Sequence, residues 1–311
     1  MSEVVSMKEI TIGTSGIRAS EISLGCMRIN AVPYERAMDV VAEAIQGGIN
    51  FFDHANIYEN GEAEALFGRI VKEQNIPRES IYIQSKCGIC DGYYDSSKDH
   101  ILSSTEGCLR RLQTDYLDVL LLHRPDALVE PEEVAEAFSI LHAQGKVRYF
   151  GVSNHNARQI ALLRKYVPIP LIVNQLQFSL AHSQLVGTGL HVNMLPDAYT
   201  DRDGETLDYC RLHDITVQAW SPFQHGFFAG LFLGSDQYVE LNRLMQEIAD
   251  SRNVSKTAIA IAWILRHPAE MQPVVGTMNL LHLKEIFEAS NIQLTRKEWY
   301  DLYVAAGNVL P

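Results

Sequence analysis

The chain has 311 residues, of which 47% are apolar and 21% charged, an ordinary composition for a globular protein with a large core. Its formal net charge of −12 argues against a general binder of nucleic acids or acidic membranes, but it allows a local basic pocket for one phosphorylated ligand. No apolar run approaches the roughly 18 residues that span a bilayer, and five scattered cysteines are typical of reduced thiols. We therefore expect a cytoplasmic protein with no membrane or nucleic-acid partner.

Short apolar runs alternate with amphipathic segments along the chain. An opening stretch, "EITIGTSGIRASEISLG", predicts a small hairpin. Strand candidates follow at 21–26, 50–55, 81–86, 117–123, 149–154, 171–177, 215–220 and 273–277. Their short apolar character is expected of strands that are buried on both faces. Helical patterns occupy 33–48, 95–113, 130–146, 156–167 and 282–290, and a further pair, 238–253 and 255–268, precedes the last strand.

This alternation predicts the α/β class of fold. Eight strand–helix units in a chain of this length imply a (β/α)8 TIM barrel, a single domain over 1–311 with a short N-terminal hairpin and extra helices before and after strand eight. A doubly wound open sheet is the alternative. In a barrel, the C-terminal ends of the strands form one rim, where chemistry usually takes place.

Three polar residues end three successive strand candidates, in "FFDHA", "YIQSK" and "LLLHR". They are Asp53, Lys86 and His123, and in a barrel they converge across the rim. A buried acid at the end of a strand needs a partner, and Lys86 can supply it. We expect Tyr58, five residues beyond Asp53, to turn back over the same rim.

These four side chains suit proton transfer to or from an oxygen. A phenol has an ordinary pKa of about 10, and a nearby ammonium favours the phenolate, which would bring the pKa of Tyr58 closer to a useful range. Asp53 would keep Lys86 charged, and His123 would orient a substrate carbonyl. No side chain in the set donates hydride, so a carbonyl reduction implies a nicotinamide cofactor. The dinucleotide fingerprint G-x-G-x-x-G is missing from the sequence.

The sequence resembles the aldo-keto reductases, and in particular a bacterial branch of oxidoreductases. The motifs "FFDHANIY", "IQSK", "LLLHRPD", "GVSN", "NQLQFS" and "QAWSP" occur in the order and spacing of that family, and the resemblance covers nearly the whole chain. It implies an NADPH-dependent reductase of aldehydes or ketones with a catalytic tetrad of Asp53, Tyr58, Lys86 and His123, in which Tyr58 is the general acid.

The resemblance also implies a set of cofactor-binding residues. Ser153, Asn154 and Gln175 would bind the nicotinamide carboxamide, and Trp220 would stack on the ring. The remaining members of the implied set are Gly25, Met27, Ser221, Pro222, Phe223, Gly276, Thr277 and Asn279. Relatives often carry a basic residue where this chain has Gly276, and an arginine near His282, and both departures weaken an electrostatic preference for NADP over NAD. We favour NADP on the resemblance to the family alone and do not exclude NAD.

Other motifs have simpler interpretations. "CGIC", from Cys87 to Cys90, has redox spacing but follows a barrel strand, so we expect no dithiol chemistry. The histidines show no HxxxH or HExxH spacing, and we expect no metal site. "GYYDSSK" at 92–98 is either part of a substrate pocket or a solvated loop.

Two other functions are compatible with this sequence, an NADP-binding sensor with little turnover and a Schiff-base aldolase that uses Lys86. We expect a small-molecule carbonyl substrate and a monomer or weak homo-oligomer. The sequence does not identify the substrate.

Overall fold

A computed structural model describes residues 7–190 and 205–310 of the chain. The strands in these ranges are β1 Glu9–Thr11, β2 Arg18–Ser20, β3 Ser23–Gly25, β4 Phe51–Asp53, β5 Tyr82–Cys87, β6 Leu117–Leu122, β7 Val147–Ser153, β8 Leu171–Gln177, β9 Thr216–Trp220 and β10 Gln272–Val275. The helices are α1 Tyr34–Gln46, α2 Glu62–Glu73, α3 Lys98–Leu112, α4 Pro131–Ala143, α5 Ala157–Tyr166, α6 Gln184–Leu190, α7 Thr206–Leu212, α8 Val239–Arg252, α9 Lys256–Leu265, α10 Leu280–Phe287 and α11 Arg296–Ala305.

Strands β3 to β10 form a closed parallel barrel in the order β10-β3-β4-β5-β6-β7-β8-β9. The ring closes where β10 pairs with β3, with Val274 opposite Ser23 and Val275 opposite Leu24. The predicted (β/α)8 barrel is therefore confirmed, and the doubly wound open sheet is wrong. Both α8 and α9 lie between β9 and β10, and α11 follows α10, so the extra helices before and after the eighth barrel strand are also confirmed.

The N-terminal hairpin β1–β2 packs on the apolar interior of the barrel. Its residues Ile12 and Ile17 belong to one buried cluster with Phe51, Val119 and Ile172, which lie on three barrel strands. The turn between β1 and β2 approaches β8 so closely that a Cβ on Gly13, at φ +52°, would lie 2.5 Å from the carbonyl oxygen of Ile172. Glycine is required there both by the contact and by the backbone conformation.

A second and larger core lies between the barrel and the surrounding helices. Alternate strand residues such as Phe52, Ile83 and Phe150 face outward into it and meet apolar faces of the helices, for example at Phe67 and Phe138. This packing on both faces explains why the barrel strands are short apolar runs in the sequence. No helix in the described ranges is long and apolar enough to cross a membrane.

The segment after β7 contains a buried histidine that couples folding to pH. Burial lowers the pKa of His155 from 6.5 to about 4, and the hydrogen bond between its Nδ1 and Ser153 O, 2.9 Å long, opposes the shift only in part. Above pH 6.5 the site is neutral in both states. As the pH falls from 6.5 towards 4, the unfolded chain binds a proton here that the folded chain does not, so the free energy of unfolding decreases.

When the pH is lowered from 7 to 5, the free energy of unfolding should decrease by about 2 kcal/mol less in His155→Gln than in the parent chain. Urea unfolding at the two pH values measures the difference. His142→Gln, a change at an exposed position, serves as the control and should retain the parental pH dependence. Equal losses in the parent and in His155→Gln would contradict the prediction.

Candidate active site

Asp53 and Lys86 form a buried ion pair at the C-terminal ends of β4 and β5. Lys86 Nζ donates to both carboxylate oxygens of Asp53 at 2.8 Å, and also to His54 O at 2.8 Å. The Lys86 side chain is 0% exposed and that of Asp53 is 4% exposed. A buried ammonium is tolerated when its protons are all bonded, and this one has acceptors for each of them.

Tyr58 lies directly above this ion pair. It begins a 3-10 turn, Tyr58–Gly61, in which Glu59, Asn60 and Gly61 all have positive φ. The turn brings the chain back over the rim, so that Lys86 Nζ donates to Tyr58 Oη at 3.1 Å. The ring of Tyr58 also meets that of His123 edge-on, with 5.9 Å between ring centroids. The four residues that sequence analysis singled out are therefore neighbours in space.

The electrostatic environment keeps Lys86 charged and Tyr58 protonated. Burial acts to lower the pKa of Lys86, but Asp53 and Tyr58 together outweigh it, so the pKa is raised above 10.5. Burial raises the pKa of Tyr58 above 10, and the charge of Lys86 offsets this only in part. Lys86 therefore lowers the pKa of Tyr58 as expected, but the net shift in the protein alone is upward, because removal of the phenol from water has the larger effect.

His123 is a neutral imidazole at physiological pH. Burial lowers its pKa well below 6.5, and the positive charges of Lys86 and Arg124 lower it further. Its Nδ1 is buried and has no hydrogen-bond partner among the described residues. A neutral ring can donate one hydrogen bond without bringing a second charge beside the ammonium. This suits a group that orients a carbonyl oxygen.

A buried network of glutamines supports Asp53 from inside the barrel, and sequence analysis did not predict it. Gln84 and Gln175 each donate from Nε2 to Asp53 Oδ1, at 2.7 and 2.9 Å, and both also donate to Gln218 Oε1. Gln218 donates in turn to Gln272 Oε1 at 2.8 Å. These residues come from β5, β8, β9 and β10. The one available signal in the sequence was a glutamine within or next to each of the four strand candidates.

Tyr58, Asp53 and His123 line a cavity of about 970 Å³ at this end of the barrel. The size lies at the upper end of the range of small-molecule and cofactor sites. The structure brings all twelve predicted cofactor residues to its wall, namely Gly25, Met27, Ser153, Asn154, Gln175, Trp220, Ser221, Pro222, Phe223, Gly276, Thr277 and Asn279. What they bind remains a prediction. Lys86 lies behind the wall, with Tyr58 between it and the cavity.

The residues predicted to hold a carboxamide are linked to one another. Ser153 Oγ donates to Gln175 O at 2.8 Å, and Asn154 Nδ2 donates to Ser153 Oγ at 2.8 Å. Asn154 adopts a left-handed conformation, φ 60°, and its Oδ1 accepts from the indole Nε1 of Trp220 at 3.2 Å. These bonds hold the Trp220 ring and the polar groups at the ends of β7 and β8 in one fixed arrangement.

Three cations on the cavity wall were not predicted. Arg28 follows β3, Arg124 follows His123, and Lys256 begins α9 beside Thr257. Among the described residues of the wall, Asp53 is the one acid, and Lys86 neutralises it. The cavity is therefore basic in a chain of net charge −12, which is the local basic pocket that the composition allowed. Phosphate groups fit such a wall.

Two further sequence motifs, "GYYDSSK" and "CGIC", lie near the site. Residues 92–98 are not on the cavity wall, and Tyr93 and Tyr94 are exposed, so "GYYDSSK" is a solvated loop rather than part of a pocket. In "CGIC", Cys87 is buried and burial raises its pKa to about 12, which keeps it from forming a thiolate. This supports the expectation that the pair has no dithiol chemistry.

The fold and the site have clear relatives among known proteins. The sequence profile of the Aldo/keto reductase family matches residues 21–303. The chain is 32% identical to the oxidoreductase YdhF of Escherichia coli strain K12 over 311 residues, covering 96% of this chain and 98% of YdhF. It is 35% identical to a 6-dehydroglucose reductase of Agrobacterium fabrum, covering 83% of this chain and 84% of that protein. A thermostable aldo-keto reductase, Tm1743, solved with the inhibitor epalrestat, superposes with a TM-score of 0.78 at 26% identity over 96% of this chain and 100% of its own.

The barrel and the cavity at its C-terminal rim, together with these matches, define an oxidoreductase. The chain belongs to the aldo/keto reductase family. The resemblance stated from its motifs is thereby confirmed, including the bacterial branch, of which YdhF is an example.

Proposed function

We propose that this oxidoreductase reduces aldehydes or ketones to alcohols with NADPH as the reductant. The observation that carries the proposal is the 3.1 Å hydrogen bond between Lys86 Nζ and Tyr58 Oη, made where Tyr58 faces the cavity. A protonated phenol next to a fixed ammonium can give its proton to an oxygen that becomes negative, and the ammonium then stabilises the phenolate. Reduction of a carbonyl creates such an oxygen.

Each residue of the tetrad has a separate task in this proposal. Tyr58 Oη donates the proton in reduction and accepts it in alcohol oxidation. Lys86 stabilises the phenolate that remains, and Asp53 keeps Lys86 charged. His123, as a neutral donor, holds the carbonyl oxygen within reach of Tyr58. Asp53 and Lys86 are buried, and this excludes water that would otherwise weaken the ion pair behind Tyr58.

NADPH, when bound, supplies the hydride that no side chain can donate. Ser153, Asn154 and Gln175 would hold the carboxamide, where the side-chain nitrogen of Gln175 is already bonded to Asp53 and its oxygen would be the contact. Trp220 would lie against the nicotinamide ring. Ser221, Pro222 and Phe223 would contact the pyrophosphate, and Gly25 and Met27 would lie on the opposite side. The basic wall of the cavity supports this assignment.

Lys256 supports NADPH over NADH. It stands on the cavity wall with Gly276, Thr277 and Asn279, the residues expected at the adenosine phosphate. Relatives often have a basic residue at the position of Gly276, and Lys256 brings a cation to the wall of the same cavity from the preceding helix. A charge-assisted hydrogen bond to a phosphate is worth enough to separate the two cofactors.

We expect Lys256→Gln to weaken NADPH binding at least about tenfold and to leave NADH binding unchanged. Titration of the nicotinamide fluorescence measures both dissociation constants without turnover. Lys72→Gln removes an exposed charge on α2 and should change neither constant. If Lys256→Gln weakens the binding of NADPH and NADH equally, Lys256 does not bind the 2′-phosphate.

The test of the reductase activity is a stopped-flow experiment. Protein that holds NADPH is mixed with a reactive aldehyde such as 4-nitrobenzaldehyde, and the nicotinamide absorbance is followed. We expect oxidation of NADPH over many turnovers. Tight binding of NADPH with unchanged absorbance for a panel of aldehydes and ketones would overturn the proposal in favour of the sensor. The aldolase alternative is disfavoured because Lys86 is fully buried and its raised pKa keeps it protonated, which leaves no lone pair for attack.

The substrate that fits the proposal is a small carbonyl compound, and the exposed aromatic rings of Phe227 and Phe228 on the cavity wall suit an apolar body. We expect the enzyme to act in the cytoplasm as a monomer or weak homo-oligomer.

A further inference from the structure

The loop between β5 and α3 is a tight hairpin that brings a thiol next to a carboxylate. Cys90 N donates to Tyr93 O at 2.9 Å, and Asp95 N donates to Gly88 O at 2.9 Å. An antiparallel bridge joins Ile89 and Tyr94 between these two bonds. The hairpin therefore holds Cys90 and Asp95 side by side, and it leads directly into the first turn of α3, where His100 lies.

Cys90, Asp95 and His100 each bring a metal-ligating atom close to those of the other two. Cys90 Sγ is 3.9 Å from His100 Nδ1, and Asp95 Oδ2 is also 3.9 Å from that nitrogen. All three ligand atoms lie within 4.8 Å of one another. With Zn–S bonds of about 2.3 Å and Zn–N bonds of about 2.0 Å, tetrahedral ligand atoms stand about 3.5 Å apart. A small contraction of the loop reaches that spacing.

In His100 and Asp95, one ring nitrogen and one carboxylate oxygen already have hydrogen-bond partners outside the cluster. His100 Nε2 is 3.1 Å from Ser104 Oγ, and Asp95 Oδ1 accepts from Ser97 N at 2.9 Å. When Nε2 carries the ring proton and donates it to Ser104, Nδ1 presents a lone pair. Cys90 Sγ lies 3.9 Å from both ring nitrogens, so the His100 ring is within reach of an ion that Cys90 also binds. Metal sites commonly have this outer layer of hydrogen bonds.

Cys90 differs from the other cysteines of the chain in being accessible. Cys26, Cys87, Cys108 and Cys210 are buried, whereas Cys90 is half-buried. Its partner in the CxxC spacing, Cys87, is buried. The ligand atoms of Asp95 and His100 lie within 4.8 Å of the Cys90 sulfur. A set of one sulfur, one nitrogen and one oxygen ligand suits zinc, which accepts all three.

We propose that Cys90, Asp95 and His100 bind one Zn²⁺ ion, with water as the fourth ligand. On binding, the thiol of Cys90 loses its proton to solvent, and the sulfur–zinc bond replaces the sulfur–hydrogen bond. The ion ties the hairpin to α3. Because Ile89 of the same hairpin lines the cavity, zinc fixes one side of the wall on which a substrate would lie. The proposal does not depend on the proposed reductase function.

The experiment uses the full chain without an affinity tag. Zn²⁺ is titrated in competition with a chromophoric chelator, and Cd²⁺ is added in a parallel sample to detect thiolate charge-transfer absorbance. We expect one ion per chain and a cadmium–thiolate band. Cys90→Ser, Asp95→Asn and His100→Gln should each weaken binding by at least about tenfold, and Cys90→Ser should also abolish the band. His142→Gln, an exposed histidine outside the cluster, should leave both unchanged.

The rate of thiol modification tests the proposal in the parent chain, without depending on whether the variants fold. A thiol reagent should modify one cysteine per native chain, Cys90, and Zn²⁺ should slow that reaction in the parent and in His142→Gln. Zinc that binds with equal affinity to the parent and to Cys90→Ser would overturn the proposal. Modification of Cys90 at the same rate with and without Zn²⁺ would overturn it as well.

Discussion

Tyr58→Phe is expected to reduce turnover by a factor of about 10²–10⁴ while the dissociation constant of NADPH stays within about twofold of the parental value. The substitution removes the hydroxyl that Lys86 contacts at 3.1 Å, together with its transferable proton, and keeps the ring that packs edge-on against His123. The shape of the cavity wall is therefore preserved. Steady-state kinetics with one aldehyde and a fluorescence titration of NADPH measure the two quantities.

Tyr166→Phe is the matched control, because Tyr166 ends α5 away from the cavity wall. It should turn over at the parental rate. Parental turnover by Tyr58→Phe would remove Tyr58 from its role as general acid. A parallel loss of NADPH binding would show instead that the hydroxyl positions the cofactor.

Lys86→Met is expected to reduce turnover by at least about 10² and also to destabilise the fold by about 3 kcal/mol. Turnover falls because the phenolate of Tyr58 loses the ammonium that stabilises it. Stability falls because Asp53 stays buried without the ammonium that pairs with it. The amide donors Gln84 and Gln175 still bond to Asp53 Oδ1, which limits the destabilisation and allows the variant to fold. Kinetics and urea unfolding measure the two effects.

Lys98→Met is the control for Lys86→Met, because it removes a lysine from an ion pair at the surface. Lys98 pairs with Glu136 at 3.0 Å, but the two side chains are 34% and 56% exposed, so the variant should lose much less stability than Lys86→Met and no activity. If Lys86→Met is as stable as Lys98→Met, Asp53 is not held as a buried anion. If Lys86→Met is unstable but fully active, the ion pair serves the fold and not the chemistry.

Lys86→Met is expected to destabilise the fold and Tyr58→Phe is not, because the two residues occupy different positions in the hydrogen-bond network around Asp53. Tyr58 stands at its edge, facing the cavity, so its hydroxyl can be removed at little cost to the fold. Lys86 stands in the middle, between Tyr58 and Asp53, and Asp53 is held by amides from β5 and β8. The same buried hydrogen bonds therefore position Tyr58 and stabilise the barrel. Removing one member of such a network costs more stability than removing an isolated hydrogen bond.

Sequence patterns were sufficient to predict the eight barrel strands. Strands enclosed by helices on one side and a filled barrel on the other are largely apolar, so runs such as 117–122 are distinct in composition from the amphipathic helices. Asp53, Lys86 and His123 were visible as polar residues that end these runs. Their convergence followed from one geometric property, since all parallel strands of a barrel end at the same rim.

The alternation of strands and helices can be recognised in the sequence, and it implies the barrel and the rim on which Asp53, Tyr58, Lys86 and His123 lie. Three further features depend on how the chain folds, namely the glutamine network around Gln218, the cationic wall that includes Lys256, and the cluster of Cys90, Asp95 and His100. The tertiary structure also decided the direction of the pKa shift of Tyr58, where burial outweighs the charge of Lys86. The physical reason is the same in each case. Hydrogen bonding, desolvation and ligand spacing depend on distances between side chains, and periodicity along a chain reports only which face of an element is buried.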